Sequence, residues 1–441
     1  MADRATHGDR SLSRRTVLGG LGAGGLTSLS GCIGLFTGGG AVPDGAGSDD
    51  TIVTFWERFG GGDGEALEGI VESYNEDASG TFIDRQRIPP DDHYDRLYTS
   101  FTGGDAPDLT ITHGSVLGQY NDYFMDLSDE FADLEDEYTE AIWESGQYDD
   151  EQLGIPMDAH PQGMYYNKDL FEEAGLDPED PPDGYDEFAD ACDAIVENTD
   201  AYAFRSAIID SEFFMFLRQY GGQMINEDNT AVRYDEEAGI KAAEFLYEIG
   251  ERGWDHTDMA AGLDGWRGGN VAMVYEGTWA YPVAAGAEFD WGYFKPNIAP
   301  DVEQVVTRAD THLVSVPVPE LRHSSTSVET DAGIEFTREL TTEYIEEWAL
   351  NGGHLPGSIA ATESDTLREA ESWKVQGPLQ EMAADDALAY PPRTEFGDRW
   401  WEPLNENLGE LYSHRMEPEE AIEDAAERSN RIIEEEREWT L

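Results

Sequence analysis

Lysine is scarce in this chain of 441 residues, which has four lysines and only 27 lysines and arginines together, against 94 aspartates and glutamates. The formal net charge is −67 at pH 7. A surface that binds nucleic acid needs clustered basic residues opposite the phosphates, so this balance argues against a nucleic-acid partner. The acidic residues are spread along the chain instead of forming one tail, a pattern that predicts a protein solvated in molar salt.

Cysteine is equally scarce, and Cys32 and Cys192 are the two in the chain. Cys192 lies in "DEFADACDAIV", where apolar residues recur at helical spacing, so we interpret it as a packed core thiol and not as a nucleophile. The nine histidines are scattered, and the sequence contains no H-E-x-x-H, C-x-x-C or G-x-S-x-G motif. The sequence therefore predicts no metal, no cofactor and no enzymatic activity.

No apolar run reaches the roughly 20 residues that a bilayer core requires. Residues 17–29 form a shorter run, diluted by glycine, that follows the adjacent Arg14 and Arg15 and leads into "LSGC". A basic pair, a short apolar region and small residues are typical of a twin-arginine export signal. "LSGC" also resembles the lipobox of secreted lipoproteins, in which the cysteine is acylated and becomes the first residue of the mature chain. These features predict a signal peptide over residues 1–31 and a lipid on Cys32.

Residues 32–50 are rich in glycine and lack periodicity, which predicts a flexible tether. Order is expected from Thr51, where "TIVTFW" predicts a strand, and predicted helices and strands then alternate as far as "APDLTIT". This alternation favours an α/β lobe with a largely parallel sheet. Farther along, apolar spacing predicts helices over residues 185–196 and 341–348.

Five stretches resemble, in the right order, landmarks of the family 1 solute-binding proteins of ABC importers, the maltose-binding-like group. The most specific is "GIPMDAHPQGMYYNKDLFEEAGLDPEDPPDGYDEF", with a Gly-x-Pro crossover followed by Tyr-Asn-Lys-Asp-Leu-Phe, Ala-Gly-Leu and Pro-Pro. Further matches are "GGDAPDLTIT", "YGGQMINEDNTAVRYDEEAGIKAAEFL", "WRGGNVAMVYEGTWA" and "GGHLPGS". The resemblance covers nearly all of residues 51–441.

The resemblance implies two α/β lobes that are joined by crossover segments, close about a hinge and hold a ligand in the cleft between them. The first lobe would comprise residues 51–158 and 297–350, and the second residues 159–296 and 351–441. The implied function is a monomeric binding protein that captures a sugar outside the membrane and delivers it to an ABC permease. The predicted lipid on Cys32 would hold the exported protein on the outer face of the cell membrane.

Three tryptophans are candidate platforms for a sugar, whose apolar C–H faces pack well on aromatic rings. Trp279 in "EGTWA" and Trp401 in "DRWWEPL" match positions where the family has sugar-stacking tryptophans. Trp56 falls at the end of the first predicted strand, at the expected cleft edge. For each of them ordinary core packing is the alternative.

Four polar residues complete the candidate site. His160 stands where the family often has a carboxylate that accepts sugar hydroxyls, a departure that puts maltose itself in doubt. His113 and Ser115 follow the third predicted strand, and Asp210 begins the aromatic stretch "DSEFFMF".

Other functions stay open at this point. Arginines such as Arg58, Arg85 and Arg267 leave room for a non-sugar solute, although none forms a convincing cluster in the cleft segments. A surface-anchored glycoside hydrolase would use a pair of carboxylates, but with 94 acidic residues no chosen pair is informative. A structural protein of the cell envelope would bind no small solute at all.

The acidic composition resembles that of proteins from extreme halophiles and yields a direct prediction about salt. Lowering KCl from molar concentrations to about 0.1 M lengthens the Debye length to about 10 Å and strengthens the repulsion among the carboxylates. We expect the melting temperature to fall in a thermal scan over this range. A melting temperature that is unchanged or higher in low salt would contradict the halophilic interpretation.

Overall fold

The computed structural model of the chain describes residues 43–206, 209–255, 262–302, 304–322, 327–397 and 399–440. The predicted signal peptide, with Arg14, Arg15 and Cys32, lies outside these residues. Within the described ranges, no helix combines the length and the apolar character needed to cross a bilayer.

Strands and helices alternate through most of the chain. The strands are β1 Thr51–Glu57, β2 Thr81–Arg87, β3 Leu109–His113, β4 Gln147–Tyr148, β5 Glu151–Gln152, β6 Ile155–Ala159, β7 Gln162–Asn167, β8 Tyr202–Ser206, β9 Val271–Gly277, β10 Trp291–Phe294, β11 Thr307–Arg308, β12 Thr311–Ser315, β13 Leu355–Pro356 and β14 Leu388–Ala389. The α-helices are α1 Gly61–Asp77, α2 Pro90–Gly103, α3 Leu117–Tyr120, α4 Ser128–Phe131, α5 Glu140–Ser145, α6 Lys168–Ala174, α7 Tyr185–Asn198, α8 Ile209–Gln219, α9 Glu237–Glu251, α10 Gly262–Arg267, α11 Tyr281–Ala285, α12 Ser327–Thr342, α13 Ile345–Gly352, α14 Ile359–Thr362, α15 Asp365–Glu369, α16 Trp373–Ala384, α17 Glu402–Tyr412 and α18 Pro418–Thr440.

The first sheet has six strands in the order β13-β6-β12-β3-β1-β2. β1 pairs in parallel with β2 and with β3, as the local alternation predicts. β12 lies antiparallel to β3 and β6, and β13 antiparallel to β6, so the prediction of a largely parallel sheet is wrong for this half. The reason is that β12 enters from a distant part of the chain, which no local pattern reveals.

The second sheet has four strands in the order β10-β7-β9-β8. β7 is antiparallel to β9 and β10, whereas β8 is parallel to β9. The chain passes from the first sheet to the second through His160 and Pro161, between β6 and β7. The two sheets and their helices form the two-lobed α/β fold that the resemblance implies. The lobe boundaries remain a prediction, and β13 belongs to the first sheet although the expected second lobe includes residues 355–356.

The helices bury the apolar faces that their spacing predicts. In α1, Leu67, Ile70 and Val71 are buried, and in α7 the thiol of Cys192 is fully buried, as predicted for a core thiol. Burial raises the pKa of that thiol well above its usual range, so it stays protonated. The helix predicted over residues 341–348 is instead the end of α12 and the start of α13, because the chain leaves the helix between Thr342 and Ile345.

A buried ion pair fixes the segment after β12 to the first sheet. Arg322 Nη1 lies 3.1 Å from Asp108 Oδ1, and the Arg322 side chain is 2% exposed. The other carboxylate oxygen of Asp108 accepts from the backbone N–H and the hydroxyl of Thr54, both at 2.8 Å. Arg322 also donates to the hydroxyl of Thr330 in α12. The pair therefore joins β1, the turn before β3 and α12.

Replacing Arg322 tests how much this ion pair contributes to the free energy of unfolding. Arg322→Met removes one partner and leaves a buried carboxylate without its countercharge, which typically costs about 3 to 5 kcal/mol. The matched control is Arg415→Met, because Arg415 is exposed and pairs with the exposed Glu410, an interaction worth about 1 kcal/mol or less. Denaturant unfolding in molar salt should rank the two variants in this order, and equal losses would show that the buried pair does not anchor the segment.

Candidate functional site

A cavity of about 210 Å³ brings together three of the predicted site residues, Ser115, Asp210 and Trp401. They come from distant parts of the chain. Ser115 lies in the turn after β3, Asp210 at the start of α8 and Trp401 in the short helix Arg399–Trp401. Gln119 and Arg308 line the same cavity.

Trp401 presents a partly exposed indole ring at this cavity. Behind it, Trp400 is 1% exposed and lies with its ring centroid 5.6 Å from that of Trp401. Phe214 supports Trp401 from α8 at 6.1 Å. Within the described residues, the Nε1 atom of Trp401 is buried without a hydrogen-bond partner, and so is the Nε atom of Arg308. The cavity therefore combines the face of an apolar ring with the polar side chains of Ser115, Asp210 and Arg308.

Ser115 is held by the buried carboxylate of Asp310. Its hydroxyl donates to Asp310 Oδ2 at 2.5 Å, and its backbone N–H donates to Asp310 Oδ1 at 3.2 Å. The hydroxyl oxygen keeps its lone pairs and can accept a further hydrogen bond. A smaller cavity of about 130 Å³ lies beside these residues and is also lined by Tyr390 and Arg393.

The segment that contains Pro391 lines these two cavities and a third, larger one of about 630 Å³. Arg393 anchors the segment, since its guanidinium donates to the backbone carbonyls of Glu144, Ser145 and Gln147. Sequence reasoning missed Arg308, Tyr390 and Arg393. The Pro-Pro pair at 391–392 was the one local signal for a rigid segment here.

His160 and His113 lie outside this cavity, in a histidine cluster formed by His113, His160, His312 and His354. The rings of His160 and His312 are stacked with centroids 4.0 Å apart and planes at 23°. His113 lies 5.0 Å from His312 and 5.4 Å from His160, and His354 lies 5.6 Å from His312. The backbone N–H of His160 donates to the carbonyl of Asp310, which places the cluster next to Ser115.

The carboxylate of Asp158 contacts two rings of the histidine cluster. It is fully buried, and it lies 3.3 Å from Nδ1 of His160 and 3.0 Å from Nδ1 of His312. The indole N–H of Trp348 donates to it at 2.6 Å. Burial raises the pKa of this carboxyl, but the facing His312 and His354 lower it more, so its pKa falls well below the usual range. Asp158 is therefore an ionised acceptor for several donors.

Burial also sets the charge of the histidines. It lowers the pKa of His160 to about 4, with the neighbouring His312 acting in the same direction. The pKa of His113 lies well below its usual value because of burial and of the nearby Arg58. For His354, burial lowers the pKa but Asp63 and Asp158 raise it more, so the net shift is upward. At neutral pH the rings of His113 and His160 are therefore uncharged.

Trp279 lies beside the histidine cluster, with its ring centroid 5.9 Å from that of His160. It is partly exposed, and its ring packs on the backbone of Gly277, where a Cβ atom would lie within 2.0 Å of the indole. Glycine is thus required at the end of β9 for this ring position.

Trp56 lies apart from these groups. Its Nε1 atom donates to Gln86 at 3.1 Å, and the guanidinium of Arg96 covers its ring. It therefore packs between β2 and α2 and lines none of the three cavities described above.

Curated relatives match the chain at low identity. An arabinooligosaccharide-binding protein of Halalkalibacterium halodurans is 27% identical over 210 residues, which cover 45% of this chain and 46% of that protein. The chain thus spans less than half of this relative. The sn-glycerol-3-phosphate-binding periplasmic protein UgpB of Escherichia coli O6:K15:H31 is 21% identical over 418 residues, covering 87% of this chain and 92% of the relative.

Solved structures share the fold. The GacH receptor of Streptomyces glaucescens, solved unliganded and in complex with acarbose and an acarbose homolog, superimposes with a TM-score of 0.77 at 20% identity. The match covers 87% of this chain and 99% of the receptor.

The profile of the family described as bacterial extracellular solute-binding protein matches residues 69–371, more than half of the chain. The chain therefore belongs to the bacterial extracellular solute-binding proteins.

Proposed function

We propose that the protein captures a sugar or oligosaccharide outside the membrane and delivers it to an ABC permease by closing its two lobes. The observation that carries this proposal is the 210 Å³ cavity, in which the face of Trp401 lies among Ser115, Asp210 and Arg308. Trp279 offers a second ring face beside His160, where the chain crosses from the first sheet to the second. The names of an arabinooligosaccharide-binding relative and of an acarbose-binding receptor support the same ligand class.

The chemistry of the cavity fits a polyhydroxylated ring. A sugar presents C–H faces that pack on an indole and hydroxyl edges that both donate and accept hydrogen bonds. Asp210 can accept, the guanidinium of Arg308 can donate, and Ser115 can accept through its hydroxyl oxygen. A purely apolar ligand would leave these polar groups unpaired, at a cost of about 1 to 3 kcal/mol each.

A phosphorylated solute is the second candidate, because UgpB matches over 92% of its length and because Arg308 lines the cavity. The carboxylate of Asp210 lines the same cavity and would repel a phosphate. We therefore favour a neutral sugar.

A thermal-shift screen in molar KCl distinguishes the two ligand classes. A ligand present at about 100 times its dissociation constant adds about 2.7 kcal/mol to the free energy of unfolding. Neutral mono- and oligosaccharides should include at least one that raises the melting temperature, whereas sn-glycerol 3-phosphate should not. A rise in melting temperature with sn-glycerol 3-phosphate but with no neutral sugar would show that the ligand is anionic.

The N-terminal sequence extends the proposal to export and anchoring. Arg14 and Arg15 before the short apolar run support export by the twin-arginine route, and "LSGC" supports acylation of Cys32. The acidic composition supports a halophilic source. In that organism the protein would lie on the outer face of the cell membrane. The protein would act there as a monomer held beside its permease.

Trp401→Ala tests the sugar platform. Because Trp401 is partly exposed and lines the cavity, its loss should weaken sugar binding by about 2 kcal/mol or more, close to 30-fold, while the protein stays folded. Trp373→Ala is the matched control, since Trp373 is also partly exposed but lies in α16 under Arg368. Calorimetric titration of both variants gives the answer. If Trp401→Ala binds the sugar as tightly as Trp373→Ala, Trp401 does not touch the ligand.

Cys32→Ser tests the anchor. The variant should leave the membrane fraction for the soluble fraction, because the proposed lipid is its attachment to the bilayer. Its sugar affinity should equal that of the parent, since Cys32 lies before the first strand at Thr51. Fractionation after a high-salt wash makes the comparison. Retention of the serine variant in the membrane would show that another segment anchors the protein.

A further inference from the structure

His354 connects a helix beside the first sheet to the turn that carries Trp279. The imidazole is fully buried and lies between α13 and β13. Its Nδ1 atom lies 2.7 Å from the hydroxyl of Thr278, and its Nε2 atom lies 3.3 Å from a carboxylate oxygen of Asp63 in the first turn of α1. Thr278 directly precedes Trp279 in the short helix that follows β9 of the second sheet. One side chain thus contacts both α1 and the residue before Trp279.

The backbones pack closely at the same place. A Cβ atom at Gly62 in α1 would lie 2.5 Å from Pro282 in α11, the helix that follows the Trp279 turn. A Cβ atom at Gly353 would lie 2.6 Å from the Cβ atom of Tyr281. Glycine is therefore required at both positions if α11 is to rest on α1 and on the residue before His354.

The charge of His354 depends on the groups around its ring. Burial lowers its pKa, but the carboxylates of Asp63 and Asp158 raise it more, so the ring keeps its proton to a higher pH than free histidine does. Around the ring lie Asp63 of α1, Asp158 of β6, His160 of the crossover, Thr278 after β9, His312 of β12 and Trp348 of α13.

Protonation changes the strength of the connection. The protonated ring donates from Nδ1 to the Thr278 hydroxyl and directs its Nε2–H toward Asp63. After the proton is lost, Nε2–H still faces Asp63, and Nδ1 accepts a hydrogen bond from the Thr278 hydroxyl instead. A charged donor bonds a carboxylate more strongly than a neutral one, so the contact with Asp63 weakens as the pH rises.

We propose that His354 is a positioning residue of the sugar site, which holds Trp279 in place by connecting Thr278 to Asp63. This role rests on the proposed function, because the position of Trp279 affects binding only if its ring contacts the sugar. His354 is fully buried and acts through Thr278, whereas the Trp279 ring is partly exposed and needs support from its neighbours. A ring that is fixed before the ligand arrives loses less conformational entropy on binding.

Removing the Thr278 hydroxyl tests this role. Thr278→Val keeps the branched shape but loses the hydrogen bond to His354, and it should weaken sugar binding about 5- to 10-fold in calorimetric titration in molar KCl. Thr278→Ser keeps the hydroxyl and should restore most of the affinity. The matched control is Thr337→Val, because Thr337 is also fully buried and its hydroxyl bonds only within α12, to the carbonyl of Gly333. That control should lose stability but keep the sugar affinity.

The pH dependence of sugar binding gives a second measurement. Between about pH 6 and pH 9 the affinity of the unmodified protein should fall as His354 loses its proton. Asp63→Asn should move the midpoint of this fall to lower pH, because it removes one of the two carboxylates that raise the pKa of His354. Burial raises the pKa of Glu276 in β9 to about 7, so this carboxyl titrates in the same range. Glu276→Gln should therefore retain the fall in affinity.

The outcomes separate this role from the proposed function. If the unmodified protein binds no sugar, the proposed function fails and the role of His354 fails with it. If the unmodified protein binds a sugar and Thr278→Val binds it as tightly as Thr337→Val, only the role of His354 is overturned. A pH dependence that disappears in Glu276→Gln would assign it to Glu276 and contradict the part given to His354. Should Thr278→Val fail to fold, the midpoints of the unmodified protein and Asp63→Asn decide, and equal midpoints overturn the proposal.

Discussion

A single buried carboxylate, that of Asp158, holds together the edge of the first sheet on which the candidate site is built. Removing a charge from water is costly unless donors surround it, and Asp158 has His160, His312 and the indole of Trp348 as partners. These donors come from the crossover segment, from β12 and from α13. The backbone N–H of His312 also donates to Asp158, so the carboxylate fixes the register irregularity between β12 and β6.

Elsewhere, some of the few arginines also join separate segments by pairing with carboxylates and backbone carbonyls. Arg85 reaches the fully buried Glu57, Arg322 pairs with Asp108, and Arg205 pairs with Asp255. Arg393 joins the proline segment to carbonyls near α5. In a chain with a net charge of −67, these four arginines thus lie at buried or half-buried positions, where a planar donor can satisfy several acceptors at once. The excess of carboxylates is a property of the solvated surface and leaves the fold of the family unchanged.

The sequence predicts well what depends on neighbours along the chain. The parallel strands β1, β2 and β3, the buried face of α1 and the core thiol of Cys192 all follow from local spacing. The antiparallel half of the sheet does not, because β12 pairs with strands from a distant part of the chain.

The residues of the candidate site could likewise be predicted only in part. The family resemblance selected Trp279, Trp401 and His160, and position after a predicted strand or in an aromatic stretch selected His113, Ser115 and Asp210. The fold brings Ser115, Asp210 and Trp401 to one cavity, and it brings the other three residues to the histidine cluster or beside it. Trp56 was selected from its place at the end of the first predicted strand, but it packs against Gln86 and Arg96. Arg308 and the meeting of three histidines could not be predicted, since their spacing along the chain matches no motif and arises only when β3, β6 and β12 share an edge.

The proposed function requires that one cavity, lined by residues from distant segments, receives a sugar. A crystal structure of the protein with the sugar selected by the screen tests it most directly. We expect a sugar ring against the indole of Trp401, with hydroxyls that form hydrogen bonds to Ser115, Asp210 or Arg308. A sugar that is ordered only in the larger cavity near Tyr148 and Met224, with Trp401 free of contact, would contradict it.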